Sequence, residues 1–149
     1  MSPDREQELK ELRSFLEFYF THVLGVDPDD DQHPASFGDK AIAKVGKSKY
    51  LQGLRQAVND TAGDLTEESP EYIAALDSSL KMAGLISFSE VRRRFSSSYR
   101  KVLKRKQIAN ETEYYLVRAV VADTATSASR EEISILEEMI VIYESDLTK

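Results

Sequence analysis

The sequence predicts an all-α protein, a compact single-domain bundle of five or six helices spanning residues 1–149. Three observations carry that prediction. Apolar residues recur at three- and four-residue intervals along most of the chain. Serine or asparagine precedes most of these runs, as an N-cap does. No stretch alternates with period two between turn residues; "IVIY" at 140–143 is β-prone but sits inside a helical pattern.

The first helix is expected from Ser2 and Pro3, which suit N-cap and N1, with Leu9, Leu12, Leu16, Tyr19 and Val23 on one face. Phe15, Phe18 and Phe20 widen that face, and Gly25 closes the element. "VDPDDDQHPASFGD", punctuated by Pro28, Pro34 and Gly38, predicts a long polar loop at about 26–46, the one candidate hinge. A second helix from about Ser48 carries Leu51, Leu54, Val58 and Leu65, weakened by Gly53 and Gly63. A third opens at Ser69-Pro70, with Ile73, Leu76, Leu80 and Ala83 inward and Gly84 at C′.

Three capping boxes mark the remaining starts: Ser87 with Glu90, Asn110 with Glu113, and Ser129 with Glu132. In each, cap and N3 side chains reciprocally satisfy two orphaned backbone donors. The first opens one helix over about 88–106, whose apolar stripe is Val91, Phe95, Tyr99, Val102 and Leu103. The second, with Tyr114, Leu116, Val117, Val120 and Val121, is apolar nearly all round and is expected to be the most buried. The last presents Ile133, Leu136, Met139, Ile140, Tyr143 and Leu147 on one side and Glu131, Glu137, Glu138 and Glu144 elsewhere.

Motifs for chemistry are incomplete. With no cysteine, the chain has no disulfide, thiolate nucleophile or cysteine-ligated metal. "AIAKVGKS" ends like a P-loop, but Ala41 stands where the first glycine is needed, and no buried strand precedes it. "DPDDDQ" starts like an EF-hand loop, yet Gln32 replaces the turn glycine and Gly38 the bidentate glutamate. His22 and His33 stand eleven apart, without the paired helical spacing of a zinc site, and His22 reads as a partly buried structural side chain. No G-x-S-x-G nucleophile elbow occurs. The expectation is a non-enzymatic protein with no cofactor and no metal. The charged start "MSPDREQELKELRSF" and the lack of ~18 consecutive apolar residues point to a soluble, cytoplasmic chain.

Charge carries the functional reading. "VRRRFSSSYRKVLKRKQ" at 91–107 holds eight basic residues and no acid in a chain of net charge −6. The rest therefore holds 12 basic residues against 26 acidic ones, or −14. Acids on neighbouring helices, especially the last, are expected to compensate the basic helix. The alternative is a nucleic-acid grip, with Arg93, Arg94, Arg100, Lys101, Lys104 and Arg105 along a phosphate backbone and Ser96, Ser97 and Ser98 as donors.

Small, acidic, cysteine-free and helical, the chain resembles in general make-up the bacterial immunity proteins and antitoxins that neutralise a cognate toxin. That resemblance implies a protein-binding module for a partner with a basic surface, whose carboxylates steer the encounter. The contact candidates are Asp27, Asp29, Asp30 and Asp31 in the loop and Glu131, Glu137, Glu138 and Glu144 on the last helix, with Tyr50 or Tyr72 as aromatic anchor. The broad apolar surfaces of the last two helices also allow a homodimer.

Overall fold

Helix caps set the architecture. The computed structural model describes residues 1–149 and contains eight α-helices and no strand. They are α1 (Pro3–His22), α2 (Pro34–Val45), α3 (Lys47–Asp64), α4 (Pro70–Met82), α5 (Phe88–Phe95), α6 (Ser97–Arg105), α7 (Glu111–Ala122) and α8 (Arg130–Leu147). All except α3 begin at a residue whose side chain accepts a backbone N–H of the first turn. Such a cap satisfies a donor that has no intrahelical partner.

Two of those caps raise the count from the expected five or six. The first is His33, inside the segment predicted as a polar loop at 26–46. Its Nδ1 accepts the Ala35 N–H at 2.9 Å, and Pro34 follows at N1, so α2 fills the second half of that segment. The His33 ring is only 1% exposed. Its Nε2 lies 2.8 Å from Thr21 Oγ1, and the Thr21 hydroxyl donates to the Glu17 carbonyl at 2.8 Å. The hydroxyl proton being committed, the geometry selects the tautomer in which Nε2–H donates to Thr21 and Nδ1 accepts.

The second is Ser96, which divides the expected 88–106 helix. Its backbone is extended (φ −76°, ψ 125°), and its Oγ accepts the Tyr99 N–H at 3.3 Å. A buried serine whose hydroxyl captures a local backbone donor offers the chain an alternative to continuous helix. The third predicted helix ends as its sequence implies. Gly84 (φ 74°) donates to Lys81 O and Leu85 to Leu80 O, both at 2.9 Å, the paired bonds of a Schellman motif. Ala83, expected inward, is the exposed C-cap residue.

The apolar side chains form two clusters. Leu12, Phe15, Val58, Leu80, Phe88 and Val91 lie in one built by α1, α3, α4 and α5, where the Phe15 and Phe88 rings stack at 6.1 Å. Tyr99, Val102, Val117, Val120, Leu136 and Met139 centre the other, built by α6, α7 and α8. Each fully buried Phe, Val or Leu contributes about 1.5–3 kcal/mol relative to exposure. Helix α7 packs on α4, α5, α6 and α8 and so joins the clusters.

The most buried helix is α5, not α7. Phe88, Ser89, Glu90, Val91, Arg92 and Phe95 of α5 are all buried, whereas α7 leaves Thr112, Tyr115 and Arg118 exposed. The reason is position: α3, α4 and α7 all pack around α5. Half of the stretch expected to show a positive face to water is therefore enclosed by protein. No helix is long and apolar enough to cross a membrane.

Candidate functional site

Enclosing α5 forces its charges to find partners, because an unpaired buried charge is costly. Glu90, 3% exposed, accepts from Arg93 Nε and Nη2, both at 3.0 Å, and from Arg94 Nε at 2.8 Å. Thr126 Oγ1 and the Ser127 hydroxyl and backbone N–H donate to the same carboxylate. Burial alone raises the Glu90 pKa, but the hydrogen bonds from Arg93, Ser127 and Arg94 outweigh it and hold the carboxyl at about 2. Arg93 also reaches Glu132 of α8 at 3.3 Å, and Arg94 reaches Glu11 of α1 at 3.5 Å. Tyr99 Oη donates to Glu132 at 2.5 Å; burial, with Glu132 beside it, pushes the phenol far up.

These glutamates correct the capping-box reading. Ser87, Asn110 and Ser129 do cap, accepting the N–H groups of Glu90, Glu113 and Glu132 at 3.0, 2.9 and 3.0 Å. The N3 carboxylates do not return to the cap residue's own N–H. Glu90 and Glu132 serve the arginines of α5, while Glu113 accepts from the Ala109 N–H and from Arg105.

Beside this network, α4 and α7 border a groove of about 840 Å³. Its floor carries Asp77, Lys81, Arg92 and Asp123. Asp77 Oδ1 accepts the Ser89 N–H at 2.9 Å and Oδ2 the Ser89 hydroxyl at 2.5 Å; burial raises its pKa despite both bonds. Asp123 pairs with Lys81 Nζ at 2.6 Å and accepts the Ser87 hydroxyl at 2.7 Å. Burial pushes the Asp123 pKa up, but Lys81 and Ser87 bring it below the usual value. Arg92 is different. It is 6% exposed, its Nε is buried without a hydrogen-bond partner, and its guanidinium carbon lies 4.8 Å from the centre of the Phe88 ring. Burial, only partly offset by the nearby Asp77, lowers its pKa to about 10. Arg92 also lines a second cavity of about 270 Å³, beside Ser96 and Asn110.

None of the four floor residues is among the sequence candidates, although two leave a legible signal. Asp77 falls on the stripe Ile73, Leu76, Leu80, and Arg92 on the stripe Phe88, Val91, Phe95. A charged residue at a core-facing position of a helix must be paired or serve a site.

The acidic candidates occupy two separate parts of the fold. Asp27, Asp29, Asp30 and Asp31 are exposed in the turn joining α1 to α2. Two of them shape it: Asp27 Oδ1 accepts the Asp29 N–H at 2.9 Å, and Asp30 Oδ1 accepts the Gln32 N–H at 2.8 Å. On α8, Glu131, Glu137 and Glu138 are exposed and form no ion pair, while Glu144 accepts from Tyr114 Oη at 2.5 Å and lies 3.7 Å from Arg118.

Among the basic candidates, Arg93 and Arg94 are held in the α5 network and Arg105 pairs with Glu113. Arg100, Lys101 and Lys104 of α6 are exposed and form no ion pair; Arg100 donates only to the Phe95 carbonyl, at 3.3 Å. Tyr50 is a core residue and cannot be an exposed anchor, whereas Tyr72 is partly exposed on the first turn of α4. His22, expected partly buried, is exposed beside Phe18, and the buried histidine is His33. No group of three or more His, Asp and Glu side chains is arranged to hold a metal ion. No family model, curated protein or solved structure matches the chain, so the reading of function rests on these side chains.

Proposed function

We propose that the protein is a non-enzymatic binding module whose outer α8 face docks a protein partner with a basic, apolar-studded surface. One observation carries the reading. Helix α8 bears a second apolar patch, opposite to the side that meets α7: Val141 is 64% exposed and Ile142 50% exposed. Residues 137, 138, 141, 142 and 145 share a helix face by their three- and four-residue spacing, which sets Glu138 between Val141 and Ile142 and Glu137 beside Val141. Both carboxylates are exposed and free of ion pairs. Exposed apolar side chains interleaved with unpaired carboxylates suit a surface of opposite charge: the carboxylates speed the encounter, and the apolar contacts slow release. The turn Asp27–Asp31 adds a second exposed negative field to the approach. Neutralising a cationic toxin, as immunity proteins and antitoxins do, is the concrete form of this function.

The test is capture from native lysate after nuclease treatment, with retained protein identified and then titrated in pure form. Wild type is expected to hold one stoichiometric basic protein. Glu137→Lys with Glu138→Lys slows association roughly tenfold at low salt and less at high salt. Val141→Ser with Ile142→Ser hastens dissociation. Failure to retain any protein, or equal retention by both variants, overturns the proposal. So does light scattering that shows a dimer lost in the Val141→Ser/Ile142→Ser variant, which would assign the patch to a second copy of this chain.

A further inference from the structure

The groove between α4 and α7 is distinct from the α8 face, and its rim carries an excess of negative charge. On the floor, Asp77 is satisfied by Ser89 and Asp123 by Lys81 and Ser87. At the edge, Arg118 is engaged by Tyr114 Oη at 2.8 Å. Arg92 alone among the groove's cations forms neither an ion pair nor a side-chain hydrogen bond, and its buried Nε has no partner at all. A guanidinium offers five N–H donors in a planar fork that matches a carboxylate. Leaving the buried Nε without a partner costs stability, and the two Nη groups, which have no side-chain partner in the fold, are left for a ligand.

The rim has the opposite sign. Glu67, Glu68, Glu71 and Glu111 line the same groove, are exposed, and take part in no ion pair. Four rim carboxylates, with Glu111 beside the Tyr115 hydroxyl, stand above a guanidinium whose near countercharge is Asp77, and they repel a phosphate chain or a dicarboxylate. They favour a ligand that inserts a single anionic group and leaves a cation at the mouth. We propose that this groove binds the α-carboxylate of a cationic zwitterion, a basic amino acid or the carboxy terminus of a peptide ending in Lys or Arg, with Arg92 taking the carboxylate and the rim glutamates the side-chain cation. The volume of about 840 Å³ is in the range of small-molecule sites and accommodates a residue or a short terminus.

The Arg92 Nε–Hε resonance gives a direct readout in nitrogen–proton spectra of the whole chain. The probes are L-lysine, the tripeptide Gly-Gly-Lys, its carboxamide, cadaverine and acetate. L-lysine or Gly-Gly-Lys is expected to shift that resonance saturably, whereas the carboxamide and cadaverine, which lack the carboxylate, do not. Tighter binding of L-lysine assigns the site to a free amino acid, and tighter binding of Gly-Gly-Lys to a peptide terminus. Arg92→Lys, which keeps the charge but loses the fork, should weaken binding at least about tenfold. Because that buried position is sensitive to folding, the exposed pair Glu68→Gln and Glu71→Gln provides a second arm, with a loss of roughly three- to tenfold at low salt. No saturable shift with either carboxylate probe, an equal shift with the carboxamide, or acetate binding as tightly as L-lysine would overturn the proposal. These outcomes are independent of whether α8 docks a protein.

Discussion

Glu90 is the centre of the α5 network, and its replacement by glutamine tests the account of how a basic helix is buried. The folded carboxyl titrates at about 2 against 4.5 for an unperturbed glutamate. At about 1.4 kcal/mol per pKa unit, that difference is worth about 3 kcal/mol. Little of it is lost to solvent screening, since the Glu90 side chain is 3% exposed and those of Arg93 and Arg94 are 14% and 30% exposed. Because the folded pKa lies below the unfolded one, the contribution is complete above about pH 4.5 and is lost as pH falls through 4.5 toward 2. Glu90→Gln keeps the shape and an acceptor but removes the charge, leaving Arg93 with Glu132 and Arg94 with the more distant Glu11. Urea unfolding of both proteins between pH 7 and pH 2 measures the effect. The variant should be about 3 kcal/mol less stable at pH 7, equivalent to roughly 6–12 °C in melting temperature. The gap between the two proteins should then close below pH 4.5. A gap that stays constant across this range, or one below about 0.5 kcal/mol at pH 7, would show that the arginines, not the carboxylate, set the local energetics.

Other perturbations probe the remaining joints. Ser96→Ala removes the α6 cap and should cost about 1 kcal/mol in urea unfolding; an increase in stability would mean that α5 and α6 fuse readily and that Ser96 does not hold them apart. Tyr99→Phe deletes the hydroxyl that donates to Glu132 and should cost about 1.5–3 kcal/mol, read by thermal unfolding at pH 7. His33→Ala should raise hydrogen exchange at residues 34–45 on the order of tenfold while α5 amides stay protected, because the cap and the Thr21 contact that it removes lie at the junction of α1 and α2 and not at α5. For the nucleic-acid reading, Arg100→Ala, Lys101→Ala and Lys104→Ala together should reduce the log–log salt slope of DNA retention by about 2.7. A wild type that passes unretained at low salt ends that reading.

The helix starts were legible because capping chemistry is local: Ser2, Ser69, Ser87, Asn110 and Ser129 all cap as their spacing predicts. His33 was not, because imidazole is an uncommon cap and Pro28 and Pro34 made the segment read as loop. Ser96 was masked by a stripe that continues across it, since Val91, Phe95, Tyr99 and Val102 keep helical spacing through the break. Burial of α5 is a tertiary result. Its moment is that of a surface helix, and only packing by α3, α4 and α7 turns its polar face inward. The groove was hidden for the same reason, since Asp77, Arg92 and Asp123 are far apart in sequence and meet through α4, α5 and α7.

The redirected glutamates link the fold to the partner chemistry. Glu90, Glu113 and Glu132 could each have closed a capping box, yet each pairs with an arginine. An N3 carboxylate near a helix N-terminus already has a favourable dipole interaction, so turning it toward a guanidinium keeps that benefit and adds an ion pair. Arg93 and Arg94 are thereby held in the α5 network and Arg105 is paired at the surface, leaving Arg100, Lys101 and Lys104 as the unpaired positive charge among the six basic candidates. The free negative charge is spread more widely, over the turn at 27–31, the α8 face and the groove rim. A polyanion would find Arg100, Lys101, Lys104 and Lys106 together at α6, and other unpaired cations such as Lys40, Lys44 and Lys49 interspersed with exposed carboxylates. A cationic partner would find free carboxylates in the turn at 27–31, on the α8 face and at the groove rim, with exposed apolar contact at Val141 and Ile142. The proposed docking of a basic protein rests on that excess of exposed carboxylate, and the pairing of Glu90, Glu113 and Glu132 within the fold, as well as net charge, sets which charges are left for it.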